Sequence, residues 1–113
     1  EVEINEAFKL QMKRDLLAIL QCSADPDEHG KGSQISKVSL RYVKSFKGQI
    51  IFSGNYVAVN YGVNYRGIID GEFDPMTSKY ANLTYYIPIL NPLARIKKKK
   101  PKYISEGCLL QRS

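Results

Sequence analysis

The stretch INEAFKLQMKRDLLAIL, residues 4–20, decides the fold. Ile4, Phe8, Met12, Leu16 and Leu20 recur every four residues, with Ile19 beside the last. On a helix such a row lies along one stripe and asks for a partner surface. Glu6, Lys9, Lys13, Arg14 and Asp15 fall between them as solvent-seeking residues. Leu10 and Leu17 widen the apolar side, so cover is expected on both flanks. Neither Gly nor Pro interrupts residues 1–22, and the spacing predicts a helix over 2–22.

Outward from that helix the pattern changes. Residues 23–33 hold Pro26, Gly30 and Gly32 among polar neighbours and read as an exposed loop. Beyond it the period becomes two: Val38, Leu40 and Tyr42 alternate with Ser39 and Arg41. Phe46-Lys47-Gly48, Gly62 and Asp74-Pro75 mark turns, and Ser53-Gly54-Asn55 marks a hairpin or a bulge. Gly67 and Gly71 inside a strand signal weak pairing or close backbone approach. An antiparallel sheet is therefore predicted over 35–87. Pro88 and Pro92 stop it, residues 88–101 form a basic loop, and a final strand covers 103–110 with Cys108 on it. The expected class is α+β: a long N-terminal amphipathic helix packed on an antiparallel sheet of four to six strands, in one domain spanning 1–113.

The whole-chain numbers agree with a globular unit. A chain of 113 residues, 43% hydrophobic and 25% charged, can bury a core. The net charge is +6, and Lys97, Lys98, Lys99, Lys100 and Lys102 supply five of the seventeen basic residues. No signal peptide or membrane span is present, and the chain starts at Glu1 mid-pattern, as a trimmed product would. Cys22 and Cys108 are an even pair in a small chain, which fits a bridge in an oxidising compartment. Two buried thiols in a cytosolic protein are the other reading.

The candidate sites for chemistry each lack a partner. His29 stands among Asp25, Asp27 and Glu28 without the second His or Cys pair of a zinc site. Asp70, Glu72 and Asp74 alternate like the start of a calcium loop, but the expected glycine and distal Glu are missing. No nucleophile with its base and no phosphate-binding Gly loop appears, so no catalytic residue, metal or cofactor is expected and the chain reads as non-enzymatic. Eight tyrosines near Arg41, Lys44, Lys47 and Arg66 would suit single-stranded nucleic acid, although tyrosine is also simply a good strand residue. The lysines of 97–100 with Lys102 form a patch for an anionic partner, DNA or an anionic surface; Lys beside Pro also blocks edge pairing. Asn82-Leu83-Thr84 matches a glycosylation acceptor.

The helix, the loop after it, the antiparallel sheet, and a cysteine at the helix end with another near the C-terminus together resemble the soluble domain of a type IV pilin or pseudopilin. The similar part runs from Val2 to Cys22 and returns at Cys108. The resemblance implies an assembly subunit outside the cytoplasm, partnered by other protein subunits. It would touch a membrane only through a segment absent from this chain. Ile4, Phe8, Met12, Leu16, Ile19 and Leu20 would hold the sheet to the helix. A secreted or periplasmic protein-binding module with a cystatin-like curved sheet is the competing expectation, and a nucleic-acid-binding domain the third.

Overall fold

The computed structural model describes residues 3–23, 34–60, 62–86, 102–104 and 106–109. Helix α1 spans Glu6–Ser23, strand β1 Gln34–Phe46, β2 Gln49–Asn60, β3 Val63–Asp74, β4 Lys79–Tyr86 and β5 Lys102–Tyr103, and helical turn α2 spans Glu106–Leu109. The class is α+β. The sheet is an antiparallel meander in the order β1-β2-β3-β4-β5, four long strands with a two-residue fifth at one edge.

The helix is not long. Asn5 ends it on the N-terminal side, because its Oδ1 accepts the Phe8 N–H at 2.9 Å and its carbonyl accepts the Lys9 N–H at 3.0 Å. That geometry is an N-cap. Eighteen residues follow, a rod of about 27 Å. Met12, Leu16, Ile19 and Leu20 are buried, with Ile4, Phe8 and Leu17 packed at the margin of the same core. Burying each such side chain contributes about 1.5–3 kcal/mol.

From the sheet, Ile35 and Val38 of β1, Ile50, Phe52, Tyr56 and Ala58 of β2, Ile69 of β3, and Tyr80 and Leu83 of β4 complete that core. Register explains the choice. Val38 pairs with Tyr56, Val43 with Phe52, and Tyr80 with Phe73, so one pleat faces the helix throughout. The two-residue turn Lys47-Gly48 has φ of 49° and 79°; two left-handed residues match the twist of a tight hairpin. In the β3–β4 turn, the Asp74 carboxylate accepts the Met76 N–H at 2.9 Å. That hydrogen bond outweighs the opposing effect of desolvation and, with those to Thr77 and Gln49, holds the Asp74 carboxyl below the usual carboxylate range.

Two further expectations fail. Ser53-Gly54-Asn55 is neither a hairpin nor a bulge, because β2 runs through it without interruption. The irregularity sits on the neighbouring strand instead, where β1 shifts register between Ile35 and Lys37 and again between Leu40 and Tyr42. Gly54 is needed because a side chain there would run into the Ser39 carbonyl. The final strand over 103–110 is also wrong. Pairing stops after Tyr103, and Glu106–Leu109 coils into a helical turn. The turn carries Cys108 out of the strand direction to within 5.5 Å, Cα to Cα, of Cys22 at the helix end. The basic loop 88–101 lies outside the described residues.

Gly67 and Gly71 mark close approach. A Cβ at Gly67 would overlap the Tyr56 ring, and one at Gly71 would meet Leu83 and Phe52. The absent side chains let two core aromatics lie flat across β3. Tyr56 also meets Tyr85 edge to face, with ring centroids 6.4 Å apart. Burial, and then the neighbouring Tyr85, push the Tyr56 hydroxyl above its ordinary value. Gly67→Ala is expected to destabilise the fold by about 1–3 kcal/mol, since the buried Tyr56 ring would have to shift from the new Cβ. Thermal unfolding of the variant checks this, and an unchanged Tm would show that the ring is not held there.

Candidate functional site: the stapled helix–sheet interface

The described residue with the least ordinary environment is Asp15. It is 6% exposed in the middle of the helix row that faces the sheet. By residue type it belongs among the solvent-seeking residues; its burial corrects that. A buried carboxylate needs partners, and Asp15 has them on both oxygens. Gln11 Nε2 donates to Oδ1 at 2.9 Å from one helical turn earlier, and the Tyr80 hydroxyl donates to Oδ2 at 2.9 Å from β4. Tyr80 in turn packs between Phe52 and Phe73, with ring centroids 5.9 and 4.8 Å away. The cluster is thus a polar tie between α1 and the far side of the sheet, set within apolar packing. One signal was available: Asp15 lies three residues after Met12 and four before Ile19, on their face of the helix.

A second tie closes the other end. Cys22 and Cys108 form a disulfide across a separation of 86 residues. Ile104 N–H donates to the Leu83 carbonyl at 3.2 Å just before the helical turn, so the C-terminal segment is bound to β4 by backbone and to α1 by sulfur. Nearby, Gln21 Oε1 accepts the Ile35 N–H at 2.8 Å, which joins the helix end to the start of β1. Together these fix the helix direction relative to the sheet: its C-terminal end lies at the start of β1, and Phe8 near its other end meets Phe73 at 5.8 Å.

The remaining candidate residues are distributed differently. Asp70, Glu72 and Asp74 share the sheet face away from the helix. Asp70 accepts the Ser53 hydroxyl at 2.5 Å, and Glu72 accepts Asn82 Nδ2 at 3.1 Å. Among the described residues no group of three or more His, Cys, Asp or Glu side chains is arranged to hold a metal. Of the four tyrosine side chains described, Tyr56 and Tyr80 are buried, Tyr85 is half-buried and Tyr42 is exposed. The Lys44 ammonium stands 5.2 Å from the Tyr42 ring centroid. Lys102 falls in β5, whereas Lys97, Lys98, Lys99, Lys100 and His29 lie outside the described residues. No helix among the described residues is long and apolar enough to cross a membrane.

Compared with family models, with curated proteins and with solved structures, the chain matches none of them.

Two measurements test the ties. Asp15→Ala leaves the Tyr80 hydroxyl buried without that acceptor and is expected to cost about 1–3 kcal/mol. A cycle with Tyr80→Phe should show a coupling of about 0.5–3 kcal/mol, and strict additivity would mean that the two groups do not act together. Replacing both Cys22 and Cys108 by Ser should lower stability by about 4 kcal/mol in the chain-entropy picture, read from denaturant midpoints. Two free thiols in the native protein would reject the bridge.

Proposed function

We propose that this chain is a non-enzymatic assembly subunit that works outside the cytoplasm, pilin-like or pseudopilin-like, within a filament or a secretion or uptake machine. The observation that carries the reading is the way the helix is held. One side is locked into the sheet by its apolar row and the Asp15–Tyr80 tie, and its end is stapled by the Cys22–Cys108 disulfide. Its outward side still carries Leu10, a large apolar residue 49% exposed. A helix fixed so firmly on one flank, with Leu10 exposed on the other, is suited to docking between subunits. The disulfide favours an oxidising compartment.

The competing reading is a free-standing secreted or periplasmic protein-binding module of the cystatin-like kind. The two register shifts in β1 favour it, because bulges bend a strand and increase its twist, and so curve a sheet around a helix. Nucleic-acid binding is the weaker alternative, since Tyr56 and Tyr80 place their rings in the core rather than on a stacking surface.

The gene region upstream of the codon for Glu1 separates the first two readings. An apolar helix of about 20 residues behind a prepilin-type cleavage site is the expected result, and an ordinary cleaved signal peptide would sink the assembly reading. In cells, a photo-crosslinking residue in place of Leu10 should give adducts with neighbouring subunits. Its failure to cross-link would remove the helix flank from the interface.

A further inference from the structure

The face of the sheet opposite α1 is covered by no described element, yet it is not merely polar. Pairing places its residues in rows across the strands. Lys44, Ile51 and Glu72 form one row, Tyr42, Ser53 and Asp70 the next, then Ser39, Asn55 and Ile68, and then Lys37, Val57 and Arg66. Tyr42, Phe46 and Ile68 are large, exposed and apolar or aromatic. Along β2 the outward column reads Ile51, Ser53, Asn55, Val57 and Val59, of which Ile51, Val57 and Val59 are half-buried and apolar. Basic residues of β1 stand on one side of that column, and Asp70 and Glu72 of β3 stand on the other.

We infer that this face is an isologous interface, covered in solution by a second copy of the chain packed sheet to sheet. A two-fold axis lying along β2 in the interface plane keeps every row at its level and lays β1 of one copy over β3 of the other. Lys44 then stands opposite the partner's Glu72, twice over, and the Tyr42 hydroxyl points at the partner's Asp70. Ile51, Val57 and Val59 meet their own counterparts on the axis. A face with Lys44 and Tyr42 on one side of its central strand and Glu72 and Asp70 on the other is complementary to itself over those two rows, whereas a foreign partner would need the same pattern by coincidence. One pair opposes: Lys37 would face the partner's Arg66. It lies towards one end of the sheet, where the roughly 30° angle between aligned sheets separates the strands. The other described charged residues at or beside the face are Arg41, exposed at the second register shift of β1, Asp74, already engaged in its turn, and Lys79 on the outer strand β4.

The area is adequate. Three strands about 40 Å long and the eight-residue β4 of about 27 Å, spaced about 4.8 Å apart, present on the order of 700 Å², close to the ~800 Å² per partner of a standard interface. Edge pairing through β1 is a poorer route, because that strand carries two register shifts and the cations Lys37, Arg41 and Lys44. The proposal does not depend on membership of a filament, and the upstream gene sequence does not bear on it.

Sedimentation of the 113-residue chain tests it directly. A dimer in reversible equilibrium is expected at micromolar to tens-of-micromolar concentration. Lys44→Glu alone, or Glu72→Lys alone, sets like charges together at both symmetric contacts and should weaken association about 100-fold. Both changes together restore opposite charges and should recover the dimer to within about 3-fold. Circular dichroism of each variant confirms that the fold is kept. A monomer at concentrations on the order of 100 μM, single reversals without effect, or a double variant that stays monomeric while folded would each overturn the proposal.

Discussion

The structure depends on one constraint: a single helix with an apolar row must leave water, and one sheet face is all it has to pack on. Met12, Leu16, Ile19 and Leu20 cannot be satisfied within an isolated helix of this length, which would be marginal on its own. The sheet has the reciprocal need. Ile35, Val38, Ile50, Phe52, Tyr56, Ile69 and Leu83 project to one side and would be an exposed patch without the helix. Each element is therefore stable only as the other's cover. This two-layer arrangement explains why the chain spends its glycines where it does. Gly67 and Gly71 make room for aromatics lying across the sheet, and Gly54 lets β1 and β2 approach beside a bulge.

Apolar packing alone leaves the helix free to slide or rotate by small amounts, since hydrophobic burial has no direction. The polar and covalent ties supply direction. Asp15 bonds to Tyr80 of β4, Gln21 bonds to Ile35 of β1, and Cys22 is joined to Cys108. They lie at successive levels of the helix and reach different parts of the fold. A buried carboxylate whose two oxygens both accept hydrogen bonds is costly to misplace, so it sets register more than it adds stability. The same logic links structure to the proposed role, because a helix used as a docking element must be held at a fixed angle to its own sheet.

The roles proposed for this fold lie on its surfaces. The carboxylates of β3 are engaged with Ser53 and Asn82 on an open face, and the buried titratable groups Asp15 and Tyr56 are enclosed in the core. The assembly role proposed for the helix flank and the pairing proposed for the outer sheet face use opposite sides of the molecule and do not compete.

Much of the fold is legible in residue order because it rests on local periodicity. The four-residue recurrence from Ile4 to Leu20 announces the helix, the alternation from Val38 announces the sheet, and Lys47-Gly48, Gly62 and Asp74-Pro75 announce the turns between strands. These depend on neighbours within a few positions. What residue order could not decide depends on groups far apart in the chain. Asp15 reads as a surface residue until Tyr80, 65 positions later, is brought beneath it. Tyr56 reads as a strand residue of either face until Gly67 opens a place for its ring. Residues 106–109 read as strand until the need to meet Cys22 turns them into a helical segment. In each case a long-range contact outweighs a local preference, because desolvating a polar group or closing a covalent ring involves more free energy than strand or helix propensity does. Residue order determined the elements; tertiary structure decided which side of each faces the core, and so which surfaces remain for partners.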